Sequence, residues 1–447
     1  RYGTVTGVQT CALPICLIAA RNEAIDNYNN SYGLTAADAT YKQHVSAANE
    51  GANTNWIDAI TRNAIQTSHQ ITVSGGNDRT QFYLSGGYYN QDGVIINTNY
   101  HRYNLRSNLS HRINKRVKIS SNIALSYSDN RRSTGDGNIY SPWVNALKAS
   151  PDYAIYESEG VYNKVNASLY NPVNLTENQE QDTKKYRALV NLKGDINILP
   201  GLDYHIGLSG DYNILHEYGY FPANSIQGET SKGESSDYRG FSFTQLIEHT
   251  FTYSHSWGNL KLNALAGYSY QKTKLDNANV SGINFLSPSL KYLISAGEIN
   301  GGSSYVEENA LQSLFSRFNI NYKDRYLLEF SIRSDASSKF SKNNRVGYFP
   351  AASAGWRISD EKWFPSACKA ISDLKLRASI GLTGNQEGIG SYAYQSIYDA
   401  SSDYNNNPGL SLPNDKPNEE LTWEKTLQYG IGFDLSQIGR ASCRERV

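Results

Sequence analysis

The sequence predicts an all-β fold: about 13 long antiparallel strands forming part of a transmembrane β-barrel. Three observations predict it. Apolar and polar residues alternate with period 2 through segments of roughly 10 to 14 residues, longer than ordinary strands. Short turns and long polar segments follow one another in alternation along the chain. No stretch approaches the roughly 18 consecutive apolar residues of a membrane helix, and mean hydropathy is −0.56. Composition agrees, with 34 Tyr and 36 Gly in 447 residues. Tyr suits strands and the boundary between apolar and wet phases.

The two ends are set aside first. The chain contains no Met, so the reading frame is expected to belong to a longer one. Val5–Ile15 (VTGVQTCALPI) and Ile438–Val447 (IGRASCRERV) resemble the conceptual translation of a sequencing adapter. Residues 1–16 and 438–447 are therefore expected to be adapter-derived. Cys11 and Cys443 fall in these ends, Cys16 at their border, and only Cys368 inside, so no disulfide framework or metal site is expected. Setting aside Arg1, Arg440, Arg444, Arg446 and Glu445 leaves 38 basic and 41 acidic residues of the original 42 and 42. That balance offers no electrostatic footprint for nucleic acid.

Residues 17–67 form the next unit. They hold helix-compatible pieces, AARNEAIDNYNN and ADATYKQHVSAANE, and no sustained strand pattern. Strand periodicity governs 68–437. In VKISSNIALSYSDN, Val117, Ile119, Ile123, Leu125 and Tyr127 share a face opposite Lys118, Ser120, Asn122, Ser126 and Ser128. In YRALVNLKGDINI, Tyr186, Ala188, Val190, Leu192, Ile196 and Ile198 oppose Arg187, Asn191, Lys193, Asp195 and Asn197. LKLNALAGYSY, DLKLRASIGL and TLQYGIGFDL repeat the pattern. Strands are expected at 68–75, 81–89, 101–112, 117–129, 184–197, 202–212, 242–256, 260–272, 311–322, 325–334, 347–358, 372–383 and 422–436. Tight turns fall at GGNDRT, INKR, LPG, SWGN and KDR. Long polar segments fall at 130–183, 213–241, 273–310 and 384–421, with a medium connection near 359–371 on the tight-turn side. In an antiparallel barrel such turns and loops emerge on opposite sides of the membrane. A soluble sandwich also alternates, with the apolar face as core. Periodicity alone does not separate the two.

A resemblance adds to this reading. HQITVSGGNDRTQFYLSGGYYNQDGVI (His69–Ile95), YHRYNLRSNLSHRI (Tyr100–Ile113), YFPAASAGWRISDEKWF (Tyr348–Phe364), ISDLKLRASIGLTGNQ (Ile371–Gln386) and NEELTWEKTLQYGIGFDLS (Asn418–Ser436) are similar, in order, to motifs of the SusC/RagA family of TonB-dependent outer-membrane transporters. The resemblance implies a barrel of about 22 strands, of which these are the second to the fourteenth. Residues 17–67 would then lie in the first external loop region. It implies an N-terminal plug and a TonB box, neither of which appears in this sequence. It also implies location in the outer membrane of a Gram-negative, Bacteroidetes-like cell. Expected partners are the TonB–ExbB–ExbD system, a SusD-like surface lipoprotein, outer-membrane lipid and an oligosaccharide or peptide substrate. An open arc leaves two unpaired edges, so this segment alone is not expected to form a working channel.

No catalytic constellation is present, and no cofactor is expected. His205 and His249 are isolated in strand patterns, where lumen-facing or solvated positions are the ordinary reading. GLTGNQEG (Gly381–Gly388) lacks the Lys-Ser/Thr of a phosphate loop and reads as a turn. SSDYNNNPG (Ser401–Gly409) reads as a solvated loop rather than a Ca²⁺ cradle. Among the six Trp, Trp257 and Trp363 flank tight turns and suit interface anchoring. Trp143, in a long external loop, is the candidate substrate contact. Active import, a passive channel and a soluble or cell-surface β-rich binding protein are the functions that remain open.

Overall fold

A hydrogen-bonded meander of 13 strands builds most of the molecule. The computed structural model describes residues 14–48, 51–135, 137–165, 169–364, 371–404, 407–411 and 416–437. The strands are β1 (Gln66–Gly76), β2 (Thr80–Asp92), β3 (Asn99–Arg112), β4 (Val117–Arg131), β5 (Glu180–Leu199), β6 (Leu202–Phe221), β7 (Glu234–Trp257), β8 (Leu260–Phe285), β9 (Ala296–Tyr322), β10 (Tyr326–Ser337), β11 (Val346–Arg357), β12 (Ile371–Asn385) and β13 (Glu424–Gln437). Each pairs antiparallel with its sequence neighbours, and β1 and β13 are the two edges of an open sheet. All 13 expected strands are present. Cys11, Cys368, Cys443 and most of both set-aside ends lie outside the described residues, as does part of Ser401–Gly409.

The strands differ from expectation in length. β1–β4 and β10–β13 run 11 to 15 residues, but β5–β9 run 20 to 27. Much of 213–241 and 273–310, read above as loop, continues the ladder. The reason is physical. A tilted strand needs only about 9–11 residues to cross hydrocarbon. Beyond that height both faces are wet, so apolar alternation stops while backbone pairing continues. GLTGNQEG likewise splits between strand and turn: β12 runs through Asn385, and Gly388 takes φ +79°.

The tight turns follow residue chemistry. Lys323 and Asp324 both adopt positive φ, 58° and 55°, and the Arg325 N–H closes the turn on the Tyr322 carbonyl at 3.1 Å, the type I′ geometry that matches strand twist. Asp324 holds it by accepting from Lys261 Nζ at 2.7 Å and Asn321 Nδ2 at 2.8 Å. Between β5 and β6, Gly201 has φ +83°, and a Cβ there would lie 2.4 Å from the Ser254 carbonyl oxygen.

Among the described residues four α-helices lie at the opposite, long-loop end: α1 (Pro14–Ser31), α2 (Trp56–Ile60), α3 (Pro142–Lys148) and α4 (Pro172–Glu177). AARNEAIDNYNN is indeed helical, within α1. The described part of the second helix-compatible piece, 37–48, is not. Its backbone is held alongside α1 by side-chain amides, with Asn29 exchanging bonds of 2.7 and 3.0 Å with Lys42 and Asn22 bonds of 3.0 and 2.8 Å with Val45. Such bonds compete with helix formation. α2, α3 and α4 enclose a small core of Trp56, Ile60, Ala146, Val165 and Val173. Ser141 and Asn171 cap α3 and α4 ahead of a Pro, as helix starts favour.

Asp152, 1% exposed, fastens this cluster. Burial works against its charge. Hydrogen bonds from the Ser150 hydroxyl and the Ala48 N–H, with the Arg21 guanidinium 3.9 Å away, outweigh burial and hold its pKa below the usual carboxylate value. A depressed folded-state pKa stabilises the fold fully above the unfolded value of about 4 and ceases to do so as pH falls through the folded value. In the full-length protein, proteolytic nicking of segment 132–179 should therefore rise below about pH 4. Asp152→Asn should raise nicking at neutral pH and flatten that dependence; an unchanged pH profile would refute the assignment.

Candidate transport wall

Period-2 geometry gives the sheet two faces, and the register carries each face across the strands. On one face Leu105 pairs with Leu125 and Leu125 with Ala188. Leu192 pairs with Leu208 and Leu208 with Ile247. Phe318 pairs with Phe330, and Ile380 with Tyr429. These side chains are exposed: Ile71 is 76% accessible, Leu314 60% and Ile431 91%. No second layer covers them among the described residues. The buried apolar clusters there are the one at α2–α4 and another around Phe340, Phe349 and Trp423. A sandwich would bury this face, so that alternative fails. A continuous apolar surface of this extent needs hydrocarbon against it.

Aromatic rows bound the belt. At the long-loop end Tyr88, Tyr103, Tyr127 and Tyr186 occupy one register row, with ring centroids 5.0, 6.2 and 4.7 Å apart. At the tight-turn end stand Tyr204, Phe251, Tyr322, Tyr326 and Trp356. Tyr326 Oη and Trp356 Nε1 both donate to Glu361 Oε1, at 2.6 and 3.1 Å. Trp257 and Trp363 are half-exposed at that same end, where the anchor reading requires them.

The other face is polar. Asn108, Asn122, Asn191 and Ser209 form a row. Ion pairs cross between strands, Arg187–Asp211 at 2.7 Å and Arg377–Asp434 at 3.3 Å, and His205 Nδ1 hydrogen-bonds Asp195 Oδ1 at 2.6 Å. Near the tight turns a groove of about 570 Å³ is lined by Asn319, Glu329, Ser353, Lys375 and Arg377. Among the described residues, no group of three His, Cys, Asp or Glu is arranged to hold a metal.

The isolated residues sort as follows. His205 lies on the polar face, bonded to Asp195 and, at 3.2 Å, to Thr252. His249 does not: it pairs across from Ile206 on the apolar face, its Nδ1 2.6 Å from the Tyr204 hydroxyl. That phenol gives the ring a polar partner within the belt, which lone-residue reasoning could not see. Trp143 sits on α3, half-buried against the Trp56–Ile60–Val173 cluster, so its visible contacts are packing contacts. Trp56 and Trp423 are buried, donating to the carbonyls of Ser150 and Arg345 at 2.9 and 3.0 Å. Sequence reasoning missed the tyrosines of the upper polar face, Tyr89, Tyr100, Tyr238 and Tyr305. Two of them fall in 213–241 and 273–310, which the sequence pattern reads as loops.

The external loops are stitched together. Asn97 Nδ2 donates to the Thr176 carbonyl at 3.3 Å, and Asn174 Nδ2 to that of Asn224 at 3.2 Å. Lys291 Nζ reaches Glu180 at 2.6 Å, while Tyr218 Oη donates to the Lys291 carbonyl at 2.6 Å.

The two faces make a direct test. In the full-length protein Leu208→Arg, mid-belt on the apolar face, should destabilise the barrel by about 2–4 kcal/mol. Ser209→Arg, its neighbour on the polar face, should change stability by less than about 1 kcal/mol. Denaturant titration in detergent micelles reads both, and equal effects would refute the assignment of faces.

Comparison with known proteins agrees with this geometry. The family profile "TonB dependent receptor-like, beta-barrel" matches residues 124–442. "TonB-dependent receptor P3" of Formosa agariphila is 31% identical over 440 residues, spanning 92% of this chain and 43% of that protein. "TonB-dependent receptor SusC" of Bacteroides thetaiotaomicron is 26% identical, spanning 86% and 40%. A solved structure described as the RagAB peptide transporter superposes with a TM-score of 0.77 at 26% identity, covering 93% of this chain and 47% of that one. The chain thus spans less than half the length of these relatives. Its wall of long antiparallel strands, apolar outside and polar inside, is an outer-membrane one, and the chain belongs to the TonB-dependent receptor family as part of the β-barrel.

Proposed function

We propose that the full protein takes up a nutrient across the outer membrane, driven through TonB. The observation that carries this is the family match over residues 124–442. Relatives bearing these names are transport proteins and not enzymes, and the two-faced wall suits that role. The apolar belt holds the barrel in lipid, and the polar face offers a wet path. The proposed cargo is an oligosaccharide or a peptide; RagAB is described as a peptide importer. The proposed partners are the TonB–ExbB–ExbD system and a SusD-like lipoprotein seated over the stitched external loops. Trp143, on that external cluster, stays a proposed substrate contact.

The test uses the full-length gene in its own host. The protein should fractionate with outer membranes, and uptake of its cargo should stop when a protonophore is added or tonB is deleted. Uptake that survives both treatments would instead identify a passive channel.

A further inference from the structure

The upper polar face carries two groups of tyrosines on neighbouring register rows. One row runs Gln91–Tyr100–Asn130–Thr183–Glu217–Tyr238–Asn279 across β2 to β8. The row beneath runs Tyr89–Arg102–Ser128–Lys185–Leu215–Gly240–Asn277–Tyr305, ending on β9. Opposed residues in an antiparallel sheet share a face, so both rows face the lumen above the level of the belt.

Three of the four tyrosines have fixed side-chain partners. Tyr238 lies across Gly240: a Cβ at Gly240 would meet its Cε1 at 3.1 Å and its Oη at 3.0 Å. Its hydroxyl donates to Asn277 Oδ1 at 3.0 Å. The missing side chain at 240 leaves the space that the Tyr238 ring edge and hydroxyl occupy on this face of the sheet. Tyr305, directly opposite Asn277, is 56% exposed. On the other side Tyr89 donates to Gln91 at 2.7 Å, meets Tyr100 edge-on at 5.9 Å and lies under the Arg102 guanidinium at 5.6 Å. Between the groups stand amide, hydroxyl and charged groups: Asn130, Thr183, Glu217 and Lys185. Leu215 is the one aliphatic side chain in these two rows.

From this we infer that Tyr89, Tyr100, Tyr238 and Tyr305 form a two-ended contact track for a neutral oligosaccharide. The inference rests on the uptake reading above and deepens it. Aromatic rings receive the C–H face of a sugar ring, and the amides and hydroxyls between them match its hydroxyl groups. A track for generic peptides would need apolar pockets for side chains, and these rows supply none. Four strand intervals from Tyr100 to Tyr238 span about 20 Å, the reach of a short oligomer and not of a single sugar.

The experiment uses purified full-length protein in detergent micelles, a printed array of neutral oligosaccharides, and a tryptic peptide library as comparison. Wild type should bind a subset of the neutral glycans. Tyr89→Ala with Tyr100→Ala, and Tyr238→Ala with Tyr305→Ala, should each weaken that binding about tenfold, with the heat-modifiable mobility of a folded barrel retained. Gly240→Val, a change that strands favour, should weaken it too by lifting the Tyr238 ring. The proposal is overturned if both double variants bind glycans as wild type does, if only peptides are captured, or if folded protein binds no neutral glycan. Each of those outcomes is compatible with protonophore-sensitive uptake. Failure of the uptake reading would show instead as uptake indifferent to the protonophore.

Discussion

Backbone hydrogen bonding in hydrocarbon constrains everything else in this molecule. Lipid offers no partner to an N–H or C=O, so every such group within the belt must be paired inside the protein. A strand can satisfy that demand only through neighbours on both sides. Sequential pairing from β1 to β13, with unbroken register over most of each ladder, follows from it. Register then determines the chemistry. Once Leu192 is set opposite Leu208, every residue of β5 and β6 is committed to lipid or to lumen, and a slip of one position would exchange the faces. The edges β1 and β13 expose the same demand unmet, and further strands of the parent barrel are the natural partners.

What could be read from the sequence follows the same constraint. The 13 strands were legible because each crosses an apolar phase, which imposes a visible period of 2. Where the environment becomes water on both sides, the period vanishes. Tyr238 and Tyr305 therefore read as loop residues in the sequence although they sit in continuous ladders. The helical propensity of ADATYKQHVSAANE was real but weak, and two asparagines on α1 claimed its backbone. His249 was misplaced because its partner, Tyr204, lies 45 residues away in sequence. The candidate contact at Trp143 came from loop position alone; its packing on Trp56 and Val173 depends on three separate segments meeting.

Electrostatics is arranged differently at the two heights. Within the barrel some charged groups of the polar face pair across strands, as Arg187 does with Asp211 and Arg377 with Asp434. Such partly exposed pairs contribute little to stability; they help to keep a wet wall polar. Above the membrane, charge serves to tie loops: Lys291 to Glu180, Arg21 to Asp152. The external surface is therefore assembled from several loops whose caps and buried amides fix them against one another. A partner seated there would meet one shaped surface.

The unequal strand lengths carry a consequence for how such proteins diversify. β5–β9 run up to 27 residues, whereas β1 has 11. Residues added in pairs at the outer end of a hairpin extend its ladder and leave every pairing below untouched. Mutation can thus reshape the upper wall without reopening the problem of surviving in lipid. A lineage can change what it recognises at the surface while inheriting its membrane-crossing part intact.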